Sequence, residues 1–374
     1  MAGKVNSSRI ECIDGSVIGV LELDNPEALN ALSYGMIEQL YHQLIEWRED
    51  ESIVAIFLHA SGEKAFCAGG DIQAIYRALE NKEQHFDAAQ KEMETFFILE
   101  YQCDYLIHTY SKPIIAWGHG YLMGGGVGLF MGASHRVIDN TTRFAMPETK
   151  IGLYPDVGAT YFLNKLPKHL AMFIGLTACQ INAADMKGLG LCHWVASSEQ
   201  KANLLNQLTD IGWQSESNIA EKLDSILAAI ECQDIGSGWL MEHEESIAEL
   251  CTGSLSEMVQ AIDDVETEDR WFSGAQKSLR YSSPLSLNIL YQQLTSYQGM
   301  TLKECFDLEY NLTLRCGLEG DFREGVRALI IDKSMDPKWL YSDVSEVSER
   351  LLKRFFAPVD SSEFPLTNPH LEPA

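Results

Sequence analysis

Basic residues are scarce in this chain. Its 374 residues hold 28 lysines and arginines against 54 aspartates and glutamates, a net charge of −26. A general nucleic-acid binder needs a basic surface to displace counterions, so nucleic acid is not expected as a partner. No basic amphipathic run occurs, and no apolar stretch reaches the length of a bilayer span, so no membrane partner is expected. The opening residues, MAGKVNSSRIECIDG, lack an apolar signal core and the Arg-rich pattern of a transit peptide. The nine cysteines form no CxxC pair, and their number is odd. A disulfide framework is therefore not expected, a reducing compartment is, and the expected location is cytoplasmic.

Familiar site motifs are missing as well. GHGYLMG puts Met123 where G-x-G-x-x-G needs its third glycine. No G-x-x-x-x-G-K-[ST] cradle for phosphates, no G-x-S-x-G nucleophile elbow and no HExxH occur, and no Cys/His ligand cluster implies a metal. There is no internal repeat and no low-complexity tract.

What the chain does have is ordinary core material: 46% hydrophobic and 22% charged residues. A length of 374 residues suggests one large domain with an appendage, or two domains. RIECIDGSVIGVLELD reads as a hairpin around Asp14-Gly15. Met36, Ile37, Leu40, Leu44, Ile45 and Trp47 recur at helical spacing. The run at 53–58, IVAIFL, reads as a buried parallel strand, and 113–117, PIIAW, as another. Residues 83–110 read as one or two helices, ended by Lys112-Pro113. Short strands are expected at 136–138 and 143–145 around the Asn140-Thr141 turn. Strand, glycine turn and helix therefore follow one another twice, the grammar of an α/β protein. From 161 to 198 the pattern is helical with a final strand in LCHWVA. Residues 200–356 are mostly helical, with Ser283-Pro284 as a helix start.

The chemistry concentrates between Gly118 and Gly158. Gly124, Gly125, Gly126 and Gly128 open this stretch, and Glu148 and Asp156, each beside a proline, close it. Bare N–H groups at a helix start attract negative charge. The glycines have a plainer reading, close packing of helix on strand. A second cluster, Ala68-Gly69-Gly70-Asp71, weighs against it. Two glycine turns, each after an apolar strand, can supply two N–H donors to one oxygen, the design of an oxyanion hole. Glu148 and Asp156 have the makings of a base or nucleophile. Their plainer reading is a surface turn with Asp156 as a helix N-cap, and Glu100 has one as a solvated helix residue.

AFCAGGDI, YLMGGGVGL and MPETKIGLYPDVGATYFL, with PEALNAL before them, resemble the crotonase superfamily of enoyl-CoA hydratases and isomerases. FAMPETKIGLYPDVGATYFLNKLP and RALIIDKSMDPKWLYSDVSEV are most similar to its 3-hydroxyisobutyryl-CoA hydrolase branch. The resemblance implies a crotonase-like spiral of ββα repeats over 1–200, a helical C-terminal region over 201–356 and a loose tail over 357–374. It implies an acyl-CoA substrate, hydrolysis of a short 3-hydroxyacyl-CoA thioester in valine catabolism, and no cofactor, since coenzyme A is part of the substrate. Ala68 and Gly125 would give the oxyanion-hole N–H groups. Glu148 and Asp156 would be catalytic. Glu100, Gly69, Gly70 and Asp71 would join them in binding substrate. Homo-oligomers are common in the superfamily, though the longer C-terminus here could cover that surface. The superfamily's hydratases place a glutamate where this chain has Gly128, and that departure favours hydrolysis. The alternatives are an enoyl-CoA hydratase or isomerase, and a non-catalytic acyl-CoA-binding protein.

Overall fold

Strands made almost wholly of apolar residues must be covered on both faces, and the main sheet meets that demand. The structure is a computed structural model and describes residues 3–359. In chain order its first half contains β1 (Lys4–Glu11), β2 (Val17–Asp24), α1 (Tyr34–Glu49), β3 (Ile53–Ala60), β4 (Ala65–Cys67), α2 (Gln73–Glu80) and α3 (Phe86–His108). It continues with β5 (Ile114–Gly118), β6 (Tyr121–Met123), α4 (Gly125–Gly132), β7 (His135–Asp139), β8 (Arg143–Ala145), α5 (Ala159–Leu163), α6 (Lys168–Thr177), α7 (Ala183–Gly188) and β9 (Trp194–Ala196). Six strands form the main sheet in the order β1-β2-β3-β5-β7-β9, antiparallel between β1 and β2 and parallel elsewhere. The two-residue period of a strand sends Ile18, Val20, Ala55, Phe57, Ile115 and Trp117 to one face. Their neighbours Leu21, Ile56, Leu58, Ile114 and Ala116 go to the other.

Three strands of three residues form a second parallel sheet, β4-β6-β8. Each turn of the chain lays one strand in the main sheet, the next in the small sheet, and then returns through helix. A strand thus pairs with its counterpart one turn earlier and not with its sequence neighbour. This is the spiral of ββα units that the resemblance implies. The strands expected at 136–138 and 143–145 are present, but they belong to different sheets. The three-residue β6 was not expected, because the glycines around it hide it among turn signals. Residues 86–108 form one helix.

The C-terminal half continues the core. Helices α8 (Gln200–Thr209) and α9 (Ile219–Ala229) cover one face of the main sheet through Leu204, Leu208, Leu223 and Leu227. Beyond them lie α10 (Glu244–Leu250), α11 (Leu255–Asp263), α12 (Arg270–Tyr281), α13 (Pro284–Ser296) and α14 (Leu302–Leu318). Their Phe272, Leu290 and Phe306 share one apolar cluster with Leu21 and Leu58. Ser283 starts α13 as expected, accepting the Ser286 N–H at 3.1 Å. Among the described residues no helix is long and apolar enough to cross a membrane. All nine cysteines are free thiols. Most of the expected tail, residues 360–374, lies outside the described residues.

Candidate active site

The three short strands of the small sheet run parallel, so their carboxyl ends open on one side. β4 leads into Ala68-Gly69-Gly70, β6 into Gly124-Gly125 and β8 into Pro147-Glu148. Crevices beyond strand carboxyl ends are where α/β folds hold ligands. Here they wall a cavity of about 170 Å³ that also reaches Glu100 and Asp156. Phe97, Leu153, Val157, Phe322 and Ile330 give it an apolar lining. The structure thus brings together Ala68, Gly69, Gly70, Glu100, Gly125, Glu148 and Asp156. It does not bring Asp71, which is exposed and accepts the Gln73 N–H at the start of α2 at 3.4 Å.

The glycines are required by contact. Gly124 has φ +53°, and a side-chain carbon there would sit 3.1 Å from Gly69 Cα and 3.4 Å from Glu148 Oε1. A side-chain carbon on Gly125 would sit 2.3 Å from Glu100 Oε1. Glu100 is therefore no solvated helix residue: it is 4% exposed and wedged between α3 and the start of α4. One turn further along α4, Gly128 is a glycine for a similar reason. A side-chain carbon there would meet Asp104 Oδ2 at 2.4 Å. Asp104, from α3, is wholly buried and neither of its oxygens has a hydrogen-bond partner.

One expected donor is corrected. The Ala68 N–H is already given to the Leu29 carbonyl at 3.0 Å, so it is not open to a ligand. The loop before α1 runs alongside this turn like a further strand. Leu32 donates to the Gly69 carbonyl at 2.9 Å and Asp71 donates to the Leu32 carbonyl at 2.8 Å. Between them the Gly70 N–H meets no acceptor among the described residues, and neither does that of Gly125, the first residue of α4. The two backbones are close: a side-chain carbon on Gly125 would lie 3.6 Å from Gly70 N. Gly70 and Gly125 are the open pair. Gly70 was in view as a contact residue. Its donor role was hidden because the partner that occupies Ala68 lies in a distant segment.

The carboxylates share a dry environment. Glu148 is 4% exposed, and neither of its oxygens has a hydrogen-bond partner. Burial, then the nearby charge of Asp156, pushes it well above the usual carboxylate range. Glu100 is raised by the same two causes. Asp156 is pushed by burial to about 7, and the Tyr101 hydroxyl, which donates to Oδ2 at 2.6 Å, acts in the opposite direction. It does not cap a helix: Gly158 holds the cap position of α5. The loop that carries it is held from α13 and α14. Glu309, itself fully buried, accepts the Gly158 and Thr160 N–H groups at 2.7 and 2.8 Å. Gln293 donates to the Pro155 carbonyl at 2.9 Å. Sequence reading missed Tyr101, Glu309 and Asp104. The only local signal was the acid-aromatic alternation around Glu100.

This arrangement can polarise a carbonyl oxygen at the two open N–H groups and present a carboxyl to its carbon. A family model described as enoyl-CoA hydratase/isomerase matches residues 18–356. The chain is 37% identical over 350 residues to a protein from Danio rerio named 3-hydroxyisobutyryl-CoA hydrolase, mitochondrial, across 93% of this chain and 89% of that one. It is 37% identical over 346 residues to the human protein of the same name, across 92% and 87%. In structure it is similar to an enoyl-CoA hydratase from Rhodobacter sphaeroides 2.4.1, with a TM-score of 0.80 at 29% identity over 94% of this chain and 97% of the other. A carnitinyl-CoA dehydratase from Mycobacterium thermoresistibile gives a TM-score of 0.82 at 28% identity, over 97% and 99%.

Proposed function

The chain belongs to the enoyl-CoA hydratase/isomerase family, and from that premise we propose that it hydrolyses a short 3-hydroxyacyl-CoA thioester, 3-hydroxyisobutyryl-CoA first of all, as in valine catabolism. The observation that carries this reading is Glu148: a buried carboxyl with no partner of its own, on a cavity wall with two unengaged N–H groups. Relatives that match more than nine-tenths of this chain at 37% identity bear the name of that hydrolase.

In the proposed reaction the thioester oxygen sits against the N–H groups of Gly70 and Gly125, which stabilise the negative charge that develops there. Loss of one such donor lowers the rate by roughly 10²–10³. Two routes fit the geometry. In one, ionised Glu148 takes a proton from water as the water oxygen adds to the carbonyl carbon, the C–S bond breaks, and coenzyme A leaves as thiolate. In the other, Glu148 itself adds to the carbon and expels the thiolate, and water then opens the anhydride. A single turnover in ¹⁸O-water separates them: only the anhydride route can leave label in Glu148. Asp156 accepts the 3-hydroxyl of the acyl group or orients the water, and Glu100 completes the wall beside Gly125.

The competing reading is hydration of an enoyl thioester, the reaction named for one structural neighbour. It is disfavoured because the space at Gly128 is filled by Asp104, which leaves no room for a second acid on α4. The deciding experiment is direct. Mixed with 3-hydroxyisobutyryl-CoA and a thiol reagent, the protein should release thiol, and Glu148→Gln should lower the rate by about 10²–10⁴-fold with the fold intact. Normal turnover in that variant removes Glu148 from the mechanism. Loss of the double bond from an enoyl-CoA without thiol release favours hydration instead. The free thiols fit a reducing compartment, either the cytosol or the mitochondrion that the relatives' names record, and cell fractionation separates the two.

A further inference from the structure

Asp156 differs from the other cavity acids in having a dedicated hydroxyl donor. The Tyr101 hydroxyl gives its proton to Asp156 Oδ2 at 2.6 Å. Tyr101 is itself fully buried, its ring packed between those of Phe97 and Phe306. Behind it stands Thr313 of α14, with Oγ1 at 2.8 Å from the Tyr101 oxygen and 2.8 Å from that of Tyr154. Tyr154 gives its own proton to the Glu309 carbonyl at 2.5 Å. Both phenolic protons are thus committed, so in a hydrogen bond with either tyrosine the Thr313 hydroxyl is the donor. Donation to Tyr101 strengthens Tyr101 as a donor in turn.

We propose that Tyr101, backed by Thr313, is a positioning residue for Asp156: it pins Oδ2, keeps the group available as a carboxylate, and leaves Oδ1 as the oxygen open to substrate or water. This rests on the hydrolase reading for its chemical purpose, though not for its geometry. The groups facing Asp156 are Glu100, Tyr101 and Asp104 from α3, Glu148 from the turn after β8, Tyr154 from its own loop, and Glu309 and Cys316 from α14. None is basic. In such surroundings a hydroxyl donor is what favours the charged form.

The test reads the carboxyl directly. In protein labelled with ¹³C-carboxyl aspartate, with the Asp156 signal assigned by Asp156→Asn, Tyr101→Phe should raise the midpoint of the Asp156 titration by about one pH unit. Thr313→Val should raise it by less. The acid limb of kcat/KM for thiol release should move the same way, which a purely structural role for the ring would not produce. An unmoved Asp156 titration in a folded Tyr101→Phe variant overturns the proposal. If that variant does not fold, Thr313→Val decides in its place: an upward shift supports the proposal and no shift overturns it. If the wild-type protein releases no thiol, the hydrolase reading fails, and the carboxyl titration still decides the role of Tyr101.

Discussion

Glu148 and Glu309 are both glutamates sealed from solvent, and both are pushed upward in pKa first of all by burial. Their surroundings differ in one respect. Glu309 accepts two backbone N–H groups, one on each oxygen, and stands at about 8. Glu148 accepts none from the protein. A buried carboxyl satisfied on both oxygens is a fastener, and here it ties α14 to the loop that carries Asp156. Glu148, satisfied on neither oxygen and set on the cavity wall, is held ready for something that enters from outside. The contrast teaches that burial and a raised pKa mark both kinds of site, and that hydrogen-bond satisfaction and a place on the cavity wall together tell them apart.

The contrast can be broken by experiment. Glu309→Gln keeps the shape but replaces one acceptor with an NH₂ that faces a backbone N–H. It should destabilise the protein by about 1–3 kcal/mol in chemical denaturation and also lower thiol release by loosening Asp156. Unchanged stability would make Glu309 no fastener. Glu148→Gln should do the opposite to stability, and the effect depends on pH. The native carboxyl titrates well above the unfolded value near 4. The native state therefore keeps a proton that the unfolded chain gives up, and stability falls as pH rises from about 4 toward the native pKa. The amide has no such loss. Melting points of wild type and variant should lie close together at pH 5 and separate by roughly 1–2 °C in favour of the variant at pH 8. A constant gap would mean that Glu148 is not desolvated. The smallest effect should come from Asp71→Asn, where exposure predicts less than about 0.5 kcal/mol in stability and a rate within about twofold. A large loss of activity would bring Asp71 into substrate contact despite its position.

Legibility followed locality. The helices around Leu40 and Glu100, the strands at 53–58 and 113–117, and the hairpin at Asp14-Gly15 have periodic or turn signals within a few residues of one another, and they were read correctly. The pairing of strands was not local. β7 and β8 are neighbours in sequence, yet each bonds to a strand from the previous turn, a choice made by the burial of both sheets. The site divided the same way. Glycine clusters and proline-flanked acids announce Gly125, Glu148 and Asp156. Which N–H in AFCAGGDI stays open depends on Leu29 and Leu32, from a loop with no motif of its own, so the motif does not show that Gly70, and not the Ala68 that the resemblance implies, is the open donor. Tyr101 and Glu309 have no signature at all. An aromatic and an acid on helices read as core and surface until their partners are in place.

The clamp from α14 also bears on time. Strands β4, β6 and β8 emerge in sequence from a growing chain, and their ends can assemble most of the cavity wall once Glu148 has been made. The residues that fix the Asp156 loop, Gln293, Glu309 and Thr313, come more than a hundred positions later. Domains fold as synthesis proceeds from the N-terminus. A nascent or truncated chain that stops before α13 therefore holds the glycines and both acids without the parts that aim one of them. Such a chain should build much of the spiral but have a poorly ordered site. Competence would be conferred last, by the end of the molecule farthest in sequence from the strands that frame the chemistry.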